Sequence, residues 1–196
     1  MIKKLVLVIF VVSLFLVQSC INEISCTVQQ NNQVIIFCSS TMPYIIYDFM
    51  TQSSISFTAN LSQSKLRDNL EKVNGVLLSY KTEQRNDKGF MEMTVQLPSF
   101  GAAQEVLDKY GIKFNYSLQT RRFEWDFRPM KAFIPSDLSN FMSLIIIPFS
   151  QKVRVTIPFR IVGAQNGAVT GSSILFNNTF ISLDDFFSSA VYTINW

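Results

Sequence analysis

Three cysteines, no histidine and a few closely spaced carboxylates are the side chains in this chain that could do chemistry. Cys26 and Cys38 flank the polar stretch Gln30-Asn31-Asn32-Gln33, with short strand patterns over 24–29 and 34–38. A three-residue loop over 31–33 would set Cys26 opposite Cys38, a candidate disulfide contributing roughly 3 kcal/mol by loop entropy. Two free buried thiols, or a hairpin in another register, are the alternatives. Two thiols without histidine do not close a zinc site, so no metal is expected. The missing histidine also removes Ser-His-Asp and Cys-His hydrolysis. The chain has no P-loop, nucleophile elbow or dinucleotide fingerprint. Glu124 and Asp126 lie two apart on one strand pattern and could in principle serve glycoside chemistry. Arg122 and Arg128 beside them give the simpler reading, a solvated sheet face with balanced charge. Asp184-Asp185 reads as the opening of a helical turn, and Arg121-Arg122 as a charged hairpin tip. No catalytic residue and no cofactor are expected.

The third cysteine, Cys20, is placed by what precedes it. Lys3 and Lys4 are followed by thirteen uncharged residues, Leu5 to Val17. As a helix these would span roughly 20 Å, short of the ~30 Å hydrocarbon core of a bilayer. That length suits a secretory leader better than a permanent span. Val17-Gln18-Ser19-Cys20 resembles the bacterial lipobox: an aliphatic residue, a tolerant position, a small residue and the cysteine. The resemblance implies cleavage between Ser19 and Cys20 and acylation at Cys20. One acyl chain binds a membrane marginally, whereas two or three make dissociation negligible. A plain cleaved leader with an incidental Cys20 is the alternative.

Cleavage there would remove residues 1–19 and leave 20–196, a length suited to one domain. Without Lys3 and Lys4 the 17 basic residues nearly balance the 14 acidic ones. Such a charge gives no reason to expect nucleic acid as a partner. Apolar residues make up 48% of the chain and phenylalanine is abundant at 18 copies, so an aromatic core is expected.

The elements follow from periodicity. Leu66, Leu70 and Val73 are spaced for a helix over 61–73, with Asn60 or Ser62 as cap and Asn74-Gly75 as stop. Val76, Leu78, Tyr80 and Thr82, then Met91, Met93, Val95 and Leu97, alternate with polar residues around the loop 85–89. They predict a hairpin with one dry face. A second helix follows over 100–110, capped by Ser99 and stopped by Gly111. A second hairpin with a Thr120-Arg121 turn would pair Leu118 with Phe123, Tyr116 with Trp125 and Phe114 with Phe127. A third helix is predicted over 137–146, then a strand at Val153, Val155 and Ile157. A turn at 163–167, strands over 173–177 and 191–196, and a helical turn at 183–187 complete the chain. The order predicts an α+β fold: a mostly antiparallel sheet built from hairpins, with two or three helices packed on one face.

Three features together resemble the LppM-type domain of bacterial lipoproteins. A lipobox cysteine leads directly into a strand, and a helix and hairpin follow over 61–97. Then Pro158-Phe159-Arg160-Ile161-Val162-Gly163-Ala164-Gln165-Asn166-Gly167-Ala168-Val169 leads through Gly171 into Ile174-Leu175-Phe176. The resemblance implies a cell-envelope domain that binds something apolar, and it carries over no catalytic residue.

The sequence therefore points to a lipid-anchored envelope protein, held on a cell membrane or outer membrane and facing the periplasm or the cell exterior. The membrane itself, through the acyl chains, is the first expected partner. A non-catalytic interaction or binding module of undefined ligand, with an envelope protein or an apolar molecule as partner, is the first functional expectation. A carrier of an apolar ligand or lipid between sheet and helices is the second, and a carboxylate hydrolase a distant third. The apolar run Phe141-Met142-Ser143-Leu144-Ile145-Ile146-Ile147-Pro148-Phe149 reads as core, with a bilayer or ligand contact as the sharper alternative.

Overall fold

The computed structural model describes residues 20–43, 63–133 and 148–196. The described chain begins with β1 (Cys20–Val28) and β2 (Val34–Pro43), then α1 (Gln63–Glu71), β3 (Val76–Arg85) and β4 (Lys88–Leu97). After these come α2 (Phe100–Asp108), β5 (Lys113–Ser117), β6 (Arg122–Asp126) and a 3-10 helix (Arg128–Phe133). The last part holds β7 (Phe149–Thr156), β8 (Gly163–Ala164), β9 (Gly167–Thr170), β10 (Ser173–Phe180), α3 (Leu183–Ser189) and β11 (Val191–Asn195).

The fold is α+β and mostly antiparallel, but the strands form two sheets. One has seven strands in the order β3-β4-β2-β1-β7-β10-β9, the other four in the order β5-β6-β11-β8. The pair β1 and β7 is parallel, with Cys20 opposite Phe149 and Ile24 opposite Val153. Local alternation reveals hairpins, whereas this pairing joins strands far apart in sequence, so periodicity carries no trace of it. The predicted helix over 137–146, the caps at Asn60 and Ser62 and the run 141–147 lie outside the described residues.

Both long helices form where capping and periodicity put them. α2 starts at Ser99, whose Oγ accepts the Ala102 N–H at 3.2 Å. It buries Ala103, Val106 and Leu107. α1 buries Leu66 and Leu70 and ends where Asn74 takes a φ of 55° and Gly75 N–H donates to the Leu70 carbonyl at 2.8 Å. At nine residues each, such helices are marginal alone, so their stability comes from the packed face.

Three strand registers differ from those the alternation predicts. In the first hairpin Cys26 faces Ile36 and Cys38 faces Ile24. The loop runs from Gln29 to Gln33, closed by Gln29 N–H to the Gln33 carbonyl at 2.9 Å, with Asn32 at a φ of 64°. The expected bridge is thereby corrected: Cys26 and Cys38 are free thiols. They are diagonal neighbours, about 7–8 Å apart, beyond the Cα separation a disulfide spans without backbone movement. The second correction is in β3. A bulge between Leu77 and Ser79 turns Leu77 toward Val95 and leaves Val76 and Leu78 about half exposed, at 53% and 52%. The third is in the aromatic hairpin, where Phe114 faces Trp125 and Tyr116 faces Phe123. The turn needs a left-handed residue, and Arg121 supplies it at a φ of 50°. Leu118 is therefore outside the strand and 60% exposed.

The two sheets share one continuous apolar core. Phe186 of α3 lies 5.9 Å from Phe127, 5.5 Å from Phe149 and 5.2 Å from Phe180, ring centre to ring centre. It ties the end of β6 to β7 and β10. Where β9 meets β10, only glycine fits at position 167. A Cβ there would stand 2.4 Å from Ile174 Cδ1 and 2.8 Å from Phe176 Cε1.

Candidate ligand cavity

Between the seven-stranded sheet, α1, α2 and the Trp125 side of the small sheet lies a cavity of about 180 Å³. Ile24, Cys38, Met91 and Met93 line it from the sheet, and Leu70 and Val106 are among the helix residues facing it. Trp125 and Met130 also line it. The elements explain the location. Inner-face residues of β1, β2 and β4 give a flat apolar floor, and the short helices meet it with only two or three buried side chains each. Methionine and cysteine are slender or flexible, and they leave room that branched residues would fill.

Among the described residues the lining is apolar apart from three groups with a polar atom: Trp125, Tyr110 and Cys38. The indole Nε1–H of Trp125 is buried and has no hydrogen-bond partner among the described residues. Tyr110 has its hydroxyl pKa raised by burial, against a hydrogen bond from Asn69 Nδ2 at 3.2 Å. Burial pushes the Cys38 thiol up to about 12 and the Cys26 thiol higher still, with Cys38 adding to the second shift. Burial thus disfavours the thiolate at both sulfurs, the form that acts as nucleophile or metal ligand. Among the described residues the cavity has apolar walls and no reacting group.

An apolar space of this size is meaningful on two scales. An engineered cavity of about 150 Å³ stays dry and takes up benzene or xenon. Unfilled apolar volume in an enclosed core costs about 24 cal/mol per Å³. A ligand that fills it regains part of that cost.

The residues singled out in the sequence fall elsewhere. Cys20 opens β1 at one end of the large sheet, with no linker between it and the fold. Ser19 lies outside the described residues. Glu124 is ion-paired with Arg122. Asp126 is not on a solvent face, as expected, but 4% exposed. It accepts from Arg128 N, Nε and Nη2, each at 2.9 Å. Burial pushes this carboxyl up, and the Arg128 hydrogen bonds outweigh that and hold it below the usual carboxylate range. Each carboxylate is thus spent on its own arginine. Asp184 and Asp185 do open α3, where Ser182 Oγ caps Asp185 N–H at 3.1 Å. Asp184 also pairs with Lys131. Among the described residues no three His, Cys, Asp or Glu side chains gather as a metal site, and no helix is long and apolar enough to cross a membrane.

Sequence reasoning missed the cavity residues. Met91 and Met93 were legible as the dry face of a strand, and Leu66 and Leu70 as a helix stripe. Their convergence with Trp125 and Met130 depends on how the two sheets meet.

No family model matches the chain, and no curated protein matches it. Among solved structures, it is similar to the folded domain of the Mycobacterium tuberculosis LppM protein, determined by NMR. That likeness has a TM-score of 0.44 at 6% identity and covers 90% of each chain. It is also similar to part of yeast LTA4 hydrolase in complex with bestatin, with a TM-score of 0.39 at 8% identity. There it covers 90% of this chain and 28% of the hydrolase. At these scores neither likeness assigns a family, a ligand or an activity.

Proposed function

We propose that this chain is a bacterial envelope lipoprotein whose one domain, residues 20–196 behind a cleaved leader 1–19, is non-catalytic and binds an apolar ligand between sheet and helices. The apolar cavity of about 180 Å³ is the observation that carries the ligand reading. The lipobox resemblance at Val17-Gln18-Ser19-Cys20 supports the anchor. Each buried CH₂ of the acyl chains would contribute about 0.8 kcal/mol to holding the protein on a cell membrane or outer membrane. Because Cys20 is already part of β1, the anchor would hold that end of the large sheet against the lipid, on the periplasmic or outer side.

Metabolic labelling with an acyl precursor tests the anchor: wild type takes up label and Cys20→Ala does not. For the cavity, an apolar fluorescent probe should bind the wild type and bind Cys38→Leu more weakly, because the larger side chain takes up part of the space. Equal binding by both would defeat the ligand reading.

A second reading, docking of an envelope protein, has its own observation. Phe100, Tyr116, Trp196 and Phe159 stack in sequence at 3.8, 4.9 and 5.6 Å, with interplanar angles of 2°, 18° and 5°. The last ring is 38% exposed. Crosslinking from position 159 in native membranes tests it.

A further inference from the structure

The strand registers put a row of different chemistry beside the cavity. On the inner face of the large sheet, Met93, Cys38, Ile24, Val153 and Phe176 stand directly across from one another on β4, β2, β1, β7 and β10. The first three of these line the cavity. The next inner-face row toward Cys20 reads Met91, Ser40, Asn22, Gln151, Asn178. Met91 also lines the cavity. Four adjacent positions of an otherwise apolar face are therefore polar and uncharged.

Their hydrogen bonds do not use all their capacity. Ser40 Oγ–H donates to Asn22 Oδ1 at 2.6 Å. Asn178 Nδ2–H donates to the Tyr192 hydroxyl at 3.3 Å, and that hydroxyl donates to Gln151 Oε1. An amide side chain has two N–H donors and an accepting oxygen. Among the described residues the Nε2 donors of Gln151, the Nδ2 donors of Asn22 and the Oδ1 of Asn178 have no partner in these bonds. Gln151 is only 3% exposed. Among the described residues the one buried side-chain polar atom without a partner is Trp125 Nε1, in the cavity wall.

We infer that cavity and row form one site for an uncharged amphiphile. A short hydrocarbon stretch lies among Ile24, Cys38, Met93 and Leu70, and a hydroxyl, ester or amide end is held by Asn22, Gln151 and Asn178. This rests on the apolar-ligand reading and adds to it the chemistry of the polar end. None of the row's five residues is a cation, and Glu23 pairs with Lys152 at 3.0 Å on the opposite face of β1 and β7. An anionic head buried there would lack a counter-charge, which is costly. Asn22 is two residues from Cys20 on β1, so the polar end of the ligand lies toward the anchored end of the sheet.

The test uses the full chain in lipid nanodiscs with Trp196→Phe, so that Trp125 is the single indole. Three probes with the same brominated chain are titrated at pH 8: a monoacylglycerol, a fatty acid and a bromoalkane. Quenching of Trp125 reports entry, and Cys38→Leu controls for quenching from the bilayer. The monoacylglycerol should bind at least tenfold tighter than either of the others. Gln151→Met should bring it down to the level of the bromoalkane and leave the bromoalkane unchanged. Asn22→Ser, a milder change, should lower it in the same direction if Gln151→Met fails to fold. Equal binding of monoacylglycerol and bromoalkane, tightest binding of the ionised acid, or indifference to both variants would overturn the polar row and spare the apolar cavity. Quenching that Cys38→Leu does not diminish would overturn both.

Discussion

Two parts of one apolar core are built in opposite ways. Around Phe186, rings from Phe127, Phe149, Phe180 and Phe187 stand 5.1–5.9 Å apart in tilted and edge geometries. Around Met93, by contrast, thin and flexible side chains leave about 180 Å³ unfilled. Aromatic rings are rigid and large, and they fix how the two sheets meet. Methionines adapt to what is present. The rigid part holds the frame, and the soft part can be loosely packed because the frame does not depend on it.

Truncation separates the two most sharply. Phe186→Ala removes the ring that joins α3 to both sheets, and denaturant melts should show a loss of about 3–5 kcal/mol. Gly167→Ala, at the edge of the rigid part, forces Ile174 and Phe176 aside and should cost about 1–3 kcal/mol by the same measurement. Cys38→Leu in the soft part should change stability by less than about 1.5 kcal/mol in either direction. A cost as large as that of Phe186→Ala would show the Met93 region to be packed as tightly as the Phe186 region and end the contrast.

Acid should act on the frame. The Asp126 pKa is lowered in the folded state, so its contribution is present above the unfolded value, about 3.9. It is lost as pH falls through the folded one. Wild type should therefore lose more stability between pH 5 and 2 than Asp126→Asn, and parallel curves would refute the Arg128 clamp. The smallest effect concerns the thiols. Burial raises both pKa values, Cys38 to about 12, so peptide mapping after an alkylating reagent at pH 8 should find Cys26 and Cys38 unmodified in the folded protein. Both thiols should react once it is unfolded.

Legibility in the sequence followed the range of the interaction. Ser99 and Asn74-Gly75 named helix boundaries because capping is settled within four residues. Alternation at Met91, Met93, Val95 and Leu97 gave the dry face of β4. Register was harder. Cys26 and Cys38 were expected face to face and stand two residues apart, because the five-residue turn at Gln29 to Gln33 was read as three. Both registers keep the same residues inside, so the hydrophobic pattern could not choose between them. The same slip of two occurred at Phe114 and Trp125, for the same reason. In β3 a bulge reversed the expected faces of Val76, Leu77 and Leu78, and a bulge leaves no mark on composition.

The candidate site was less legible than the fold. That a ligand space lies between sheet and helices was one of several expectations, and none of its walls was named. Asn22, Ser40, Gln151 and Asn178 are scattered over more than 150 positions of chain. Each alone reads as an ordinary polar residue in a strand.

By itself the sequence determined the candidate anchor motif at Cys20, the hairpins and the two short helices, because those depend on residue type and on neighbours a few positions away. Only the tertiary structure decided that β1 runs parallel to β7, that four distant polar residues share one row, and that methionines, leucines and Trp125 surround an empty space. Those features arise where strands remote in the chain are held at about 4.8 Å by backbone hydrogen bonds, a contact no local pattern encodes.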